Sequence, residues 1–246
     1  MVNVAAAVLL AVRGLDAWYG AARILYGIDL DVRRGEVVAL MGRNGAGKST
    51  TLKAIMNLGL RRSGQISFMG NSIAASRPFQ IARLGLGYVP EDRRLFTDLS
   101  VRQNLDLGHQ PARHWPDGRP VSAWTVEALF DLFPILRPLE NRQAGTLSGG
   151  EQQMLAVART LMGNPYVLLL DEPSEGVAPL VVEQMAAMIL ALKQQGTSVL
   201  LSEQNIHFAQ LVADRVYVLE KGIARYSGTM QEMRQSPEVV RSYLAI

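Results

Sequence analysis

The stretch Gly42-Arg43-Asn44-Gly45-Ala46-Gly47-Lys48-Ser49-Thr50 limits what this chain can fold into more than any other. It satisfies G-x-x-x-x-G-K-[ST], follows the apolar run Val37-Val38-Ala39-Leu40-Met41 and opens into Thr51-Leu52-Lys53-Ala54-Ile55-Met56, which suits a helix. Strand, glycine loop and helix in that order are the opening of an α/β sheet protein. The glycines let successive backbone N–H groups turn inward around a polyphosphate, and the helix N-terminus adds partial positive charge. On this reading Gly42 to Thr50 hold the phosphates of a nucleoside triphosphate, Lys48 reaches the β/γ-phosphates and Ser49 ligates Mg²⁺. A glycine-rich strand-to-helix turn can also be no more than a turn, but here every fixed position and both flanks fit.

The rest of the chain has to supply a sheet around that loop. With 246 residues there is room for one α/β domain with an appendage or for two small domains. Apolar residues at 48% and charged residues at 19% are a globular composition. The net charge of +3 is carried largely by arginines scattered as Arg33-Arg34, Arg61-Arg62 and Arg93-Arg94 rather than gathered on one tract, which argues against a nucleic-acid partner. There is no cysteine, so disulfides, Cys-type zinc sites and iron–sulfur clusters are excluded. The apolar stretch Val4 to Val12 falls short of the roughly 20 residues that span a bilayer, and no basic segment leads into it. The expected location is the cytoplasm, with any work at a membrane done through a partner.

Taken in order, Val8 to Arg13 and Ala17 to Tyr19 read as strands separated by Gly14-Leu15-Asp16, and Ile24 to Val32 alternates as Ile28-Asp29-Leu30-Asp31-Val32, the mark of antiparallel strands with one wet face. Gly59 and Arg61-Arg62-Ser63-Gly64 punctuate. Gln65 to Met69 and Leu86 to Val89 are strand candidates, with a short helical piece from Phe79 to Leu84. Between Pro90 and Leu147 prolines break the chain, while Val101 to Leu107 and Trp124 to Phe133 carry helical spacing, which predicts an inserted helical subdomain. His109 to Pro120 reads as an exposed loop, its histidines solvated rather than metal-bound because no third ligand stands at a recognised spacing. Then come a helix from Ser148 to Met162, a buried strand Val167 to Asp171, a helix Leu180 to Gln194, a strand Thr197 to Leu201, a helix Ile206 to Ala213 and a strand Arg215 to Leu219. That alternation predicts a parallel sheet with helices on both faces. Gly222 to Gly228 reads as a closing hairpin strand and Met230 to Leu244 as a terminal helix.

Three further features coincide with the glycine loop. Leu147-Ser148-Gly149-Gly150-Glu151-Gln152-Gln153 matches the LSGGQ-type signature of ABC ATPases, Leu168 to Glu172 matches their Walker B strand with its adjacent glutamate, and Tyr19 lies where that family places an aromatic under adenine. Along nearly its full length the chain resembles an ABC transporter ATP-binding subunit. The resemblance implies one ABC ATPase domain over 1–246: a P-loop NTPase (RecA-like) α/β core, an antiparallel β subdomain mainly at 8–35, a helical subdomain at 91–147, and signature, Walker B, switch and C-terminal elements over 148–246. It implies ATP and Mg²⁺ as cofactors. Asp171 holds Mg²⁺ through its water shell, which suits an ion that keeps several waters. Glu172 is the candidate to orient or deprotonate the attacking water. Ser148, Gly149, Gly150 and Glu151 form a second anion site that contacts the γ-phosphate bound on another subunit, in a head-to-tail pair, with Pro173 to Ala178 as the loop between the two sites.

Two positions depart from most ABC ATPases. Glu91 stands where glutamine is usual, and a carboxylate there accepts hydrogen bonds and can ligate Mg²⁺ directly. Gln204 stands in the switch position usually held by histidine; its amide can donate to a γ-phosphate but cannot take up charge. Pro90-Glu91 with Arg93-Arg94, Ser148 to Met154, Asp171 to Pro179 and Glu203-Gln204-Asn205 are together similar to the LivF-type subunits of branched-chain amino acid importers, and nearly as similar to urea and short-chain amide relatives. Glu175, where that branch often has leucine, and the tract His109 to Pro120 depart from it. The expected function is ATP-driven uptake of branched-chain or other hydrophobic amino acids, from the cytoplasmic face of the membrane. The expected partners are a second ATPase subunit, heteromeric by resemblance though self-pairing stays open, two permease subunits and, indirectly, an extracytoplasmic binding protein. A soluble ABC ATPase without a transport role and a separate-subunit exporter are the rival readings. Phe96 and Leu99 read either as a docking face for a membrane partner or as ordinary core.

Overall fold

The computed structural model describes residues 7–236 except 122, together with 238 and 241. The chain opens with a long antiparallel hairpin, β1 (Val8–Tyr19) and β2 (Ala22–Arg33), then enters β3 (Val37–Met41) and α1 (Lys48–Ile55). β4 (Arg61–Phe68), the short β5 (Asn71–Ser72), α2 (Pro78–Leu84) and β6 (Leu86–Val89) follow. The next segment holds α3 (Val101–Gly108), α4 (Val126–Leu132) and two 3₁₀ turns at Pro134–Leu139 and Ala144–Thr146. The remainder alternates: α5 (Gly149–Leu161), β7 (Val167–Asp171), α6 (Pro179–Gln194), β8 (Ser198–Glu203), α7 (Ile206–Val212), β9 (Arg215–Glu220), β10 (Ile223–Thr229) and α8 (Met230–Arg234).

Two sheets result. The larger has the order β10-β9-β3-β8-β7-β6, parallel throughout except for the β10–β9 pair. Its strands β3, β7 and β8 are unbroken apolar runs because both of their faces are covered. Val37, Ala39 and Met41 point into one core with Leu168, Leu170, Val199 and Leu201, against Leu155 of α5, Ile189 of α6 and Phe208 of α7. The alternate residues Val38, Leu40, Leu169 and Leu200 point into a second core with Leu52 and Ile55 of α1 and Leu10, Val12, Leu30 and Val32 of the hairpin. Period-two alternation thus divides one strand between two cores, and each fully buried leucine contributes about 1.5–3 kcal/mol to holding the layers together. Register brings Met41 opposite Glu203 and Asp171 opposite Ser202, so the carboxyl ends of β3, β8 and β7 finish level. Ligands of open α/β sheets bind at that edge.

The structure corrects several sequence expectations. β1 runs through Gly14-Leu15-Asp16 without a break: the ladder slips between Val12 and Leu15, Gly14 takes φ +56° and Leu15 is fully buried, so this glycine makes a bulge rather than a turn. The antiparallel sheet reaches beyond residue 35, with order β2-β1-β4-β5, and Arg61 and Arg62, expected in a turn, are strand residues opposite Trp18 and Ala17. Arg62 donates to the carbonyls of Ala54, Ile55 and Ala74, capping the C-terminal end of α1. The tract His109 to Pro120 is the mostly exposed loop expected, but it is anchored at one point: Trp115 is buried with its ring 4.9 Å from that of Tyr166, under the guanidinium of Arg34 at 3.7 Å. The terminal helix expected from Met230 is interrupted after Arg234; Glu238 and Arg241 are again helical, and most of the expected continuation to Leu244 lies outside the described residues.

Candidate functional site

The β3–α1 loop takes a conformation open only to glycine at two points. Gly42 has φ +153° and a Cβ there would collide with the carbonyl of Leu219; Gly47 has φ +107° and a Cβ there would sit 2.7 Å from Leu25 Cδ2. Gly47 caps α1, and Thr51 N–H donates to its carbonyl at 2.9 Å. The N–H groups of Lys48, Ser49 and Thr50, in the first turn, therefore have no carbonyl of their own helix to bond, which makes the helix N-terminus a donor cluster for an anion. These residues line a cavity of about 440 Å³ together with Asn44, Gly45 and Gly47, closed by Tyr19, Ile24, Glu91, Glu172 and Glu175. Tyr19, at the tip of the hairpin, is 46% exposed and offers a free ring at the cavity mouth.

Lys48 is only 4% exposed. Its Nζ donates to the carbonyls of Gly42 at 2.8 Å and Arg43 at 3.2 Å and pairs with Glu172 Oε1 at 2.9 Å. Glu172 sits at φ +49°, beyond the end of β7, held by its N–H on Ser202 Oγ and on the Ser202 carbonyl, both at 3.1 Å. The preceding Asp171 is nearly inaccessible, and each carboxylate oxygen accepts from a neutral hydroxyl: Ser202 Oγ at 2.6 Å on Oδ1 and Tyr88 Oη at 3.0 Å on Oδ2. Burial, with Asp171 beside it, holds the Tyr88 phenol well above its ordinary range, so it stays a donor. Partial burial and the neighbouring carboxylates Glu175, Asp171 and Glu172 push Glu91 up. Glu203 ends β8, and its two oxygens accept from Ser174 N–H at 3.0 Å and Asn205 N–H at 3.1 Å; burial pushes its carboxyl up to about 7.

A magnesium nucleotide suits these residues. The loop offers backbone donors and one buried cation, Glu91, Glu172 and Glu175 line the cavity, and Asp171 lies outside the lining with both oxygens bonded by neutral hydroxyls rather than by a cation. Among the described residues no three carboxylates or histidines cluster as a ready metal cage.

Of the residues singled out from sequence, Tyr19, Asn44, Gly45, Gly47, Lys48, Ser49, Thr50, Glu91 and Glu172 line one cavity, and Asp171, outside the lining, is bonded to Tyr88 and Ser202. Gly42, Arg43 and Ala46 lie outside the lining and serve through backbone: the first two accept from Lys48, and Ala46 accepts from Gly222 N–H at 2.9 Å. Gln204 is half-buried and outside the lining. Ser148 to Glu151 also stay outside it. Ser148 Oγ accepts from Glu151 N–H at 3.3 Å while the Glu151 carboxylate accepts from Ser148 N–H at 2.7 Å, a reciprocal cap that starts α5.

The family model described as ABC transporter matches residues 25–175, more than half of the chain, and spans the glycine loop, the signature helix and the end of β7. The chain belongs to the ABC transporter family. This cassette is 38% identical over 230 residues to the high-affinity branched-chain amino acid transport ATP-binding protein BraG of Pseudomonas aeruginosa, covering 94% of the chain and 97% of the relative. It is 37% identical over 220 residues to the probable branched-chain amino acid transport ATP-binding protein LivF of Archaeoglobus fulgidus, covering 89% and 91%. Its fold superposes with a TM-score of 0.78 on the crystal structure of a nucleotide-free ATP-binding cassette from an ABC transporter, at 26% identity over 95% of this chain and 98% of that one. The cassette is an ATP-binding ATPase.

Sequence reasoning gave no role to Tyr88, Ser202, Glu203 or Arg93. A signal existed for three of them. Ser202-Glu203 close an apolar strand just as Asp171-Glu172 do, and a phenol at Tyr88 interrupts the small and apolar residues of β6. Arg93 stands in a motif that carries the resemblance, but the sequence assigned it no partner: its Nε donates to Gln153 Oε1 at 3.2 Å, tying the segment after Glu91 to α5.

Proposed function

We propose that this cassette is the motor subunit of a membrane importer, with branched-chain or other hydrophobic amino acids as its cargo class. The observation that carries the catalytic part is the buried Lys48–Glu172 pair at the floor of a cavity walled by helix-terminal N–H groups. In this reading the N–H groups of the loop and of α1 hold the phosphates, Tyr19 stacks on the adenine, and Lys48 turns from Glu172 toward the β/γ-phosphates. Ser49, Asp171 and Glu91 are the residues that hold Mg²⁺, directly or through its waters; when bound, the ion neutralises charge on the phosphate oxygens. Glu172, released from Lys48, orients and deprotonates the attacking water.

In this reading one chain supplies only part of the site. The signature residues Ser148, Gly149, Gly150 and Glu151, which stand on a separate element, complete the site of a second ATPase subunit, a different chain in the LivF-like arrangement, and Gln204 donates to the γ-phosphate once the pair closes. Among the described residues no helix is long and apolar enough to cross a membrane. In this reading transport runs through two permease subunits, with an extracytoplasmic binding protein upstream and this subunit peripheral on the cytoplasmic face. An apolar groove of about 510 Å³ between α2 and the start of the helical segment exposes Phe79, Phe96 and Leu107, and a cytoplasmic permease segment docks there. Leu99, by contrast, is half-buried.

The test is affinity purification of the tagged protein from detergent-solubilised membranes of its native host. Two distinct multispanning proteins and a second ATPase are expected to copurify, and Phe96→Glu is expected to lose them. A soluble assembly with no membrane protein sinks the importer reading and leaves the ATPase intact.

A further inference from the structure

Tyr88 faces two functional surfaces at once. The residue lines the apolar groove with Gly87 and Phe96, while its hydroxyl donates to Asp171 Oδ2 at 3.0 Å. The sheet order explains the reach. β7 lies between β8 and β6, so Asp171 is gripped from both neighbouring strands: Ser202 of β8 takes Oδ1 and Tyr88 of β6 takes Oδ2. Tyr88 pairs with Leu169 in the ladder, two positions short of Asp171, and the length of the phenol spans the difference. With both carboxylate oxygens held, the carboxylate plane has one orientation instead of a range.

We propose that Tyr88 is a positioning residue for the metal–nucleotide complex: its hydroxyl fixes the orientation in which Asp171 meets the metal's ligand shell. The inference rests on the reading of Asp171 as the metal-side carboxylate. Groups that orient a metal ligand change affinity by about 10- to 100-fold when removed, and for a carboxylate acting partly through water the lower figure applies. The residue that orients Asp171 thus also belongs to the lining of the groove given above to the permease.

The experiment uses the purified full chain with a fluorescent ATP analogue as probe, titrated with Mn²⁺, and follows bound Mn²⁺ by electron paramagnetic resonance. Wild type, Tyr88→Phe, Tyr88→Leu and Asp171→Asn are compared, with thermal melting as the fold control. Tyr88→Phe keeps the ring and loses only the donor; it is expected to leave metal-free nucleotide affinity unchanged and to require about 10-fold more Mn²⁺, with Asp171→Asn shifted further. If Asp171→Asn shifts the metal requirement and Tyr88→Phe matches wild type while Tyr88→Leu does not, the residue only packs and the proposal is overturned. If Asp171→Asn leaves the requirement unchanged, the assignment of Asp171 falls and takes this inference with it.

Discussion

Replacing Glu172 by glutamine should tighten ATP binding while loosening the nucleotide-free protein. Lys48 Nζ meets Glu172 Oε1 at 2.9 Å, with both side chains buried, so a polyphosphate must compete with this carboxylate for its cation. At an effective dielectric of about 20, unit charges about 4–5 Å apart interact by roughly 3–4 kcal/mol, and desolvation offsets much of that. Removing the competing charge should leave a net gain of about 1–2 kcal/mol, or roughly 5- to 30-fold in dissociation constant. The free protein should move the other way. Stripping one partner from a buried pair can cost roughly 3–5 kcal/mol, but Lys48 keeps the carbonyls of Gly42 and Arg43, and the amide oxygen still accepts. A loss of about 1–2 kcal/mol lowers the melting temperature by about 2–8 °C in a chain of this size. The assay is fluorescent-nucleotide titration beside melting curves with and without ATP, under conditions where no turnover occurs. Unchanged or weaker affinity in Glu172→Gln would refute the competition argument.

Three other outcomes follow from the same geometry. Lys48→Ala removes the one buried cation of the loop and should weaken nucleotide binding by at least about 100-fold, the equivalent of roughly 3 kcal/mol of charge-assisted hydrogen bonding; an unchanged dissociation constant would displace the phosphates from this loop. Ser202→Ala takes the donor from Asp171 Oδ1 and an acceptor from Glu172 N–H, and should cost about 1–3 kcal/mol in urea unfolding, whereas a neutral result would mean the two carboxylate-bearing residues are held by other contacts. Glu203, pushed up to about 7 by burial, binds in the native state a proton that the unfolded chain releases near 4.5. Its contribution is present at low pH and lost as pH rises through about 7, so relative to Glu203→Gln the wild type should lose about 1–3 kcal/mol between pH 4.5 and 8; a stability difference that stays flat with pH contradicts this.

What the sequence made legible is what is local. β3, β7 and β8 announce themselves because burial on both faces demands unbroken apolar runs, and the glycine loop because only glycine tolerates the backbone at Gly42 and Gly47. What stayed hidden is long-range. Arg61 and Arg62 look like turn residues until β1 is placed beside them. The buried Trp115 hides in a tract of proline, glycine and charge, and its burial depends on Tyr166 and Arg34, which are distant in sequence. The pairing of Tyr88 with Asp171 joins residues 83 positions apart, and no periodicity within β6 or β7 could have paired them. Within the cavity, the lining residues expected from motif spacing lie together, whereas Gln204 and Ser148 to Glu151 stand apart from it in a single chain.

Steady-state phosphate release by the purified protein, alone and with its copurifying partners, tests whether the Lys48–Glu172 site hydrolyses ATP. Glu172→Gln should bind ATP at least as tightly as wild type and turn over at least about 100-fold more slowly, the usual loss when a general base is removed. Hydrolysis by Glu172→Gln at the wild-type rate would put the catalytic base elsewhere.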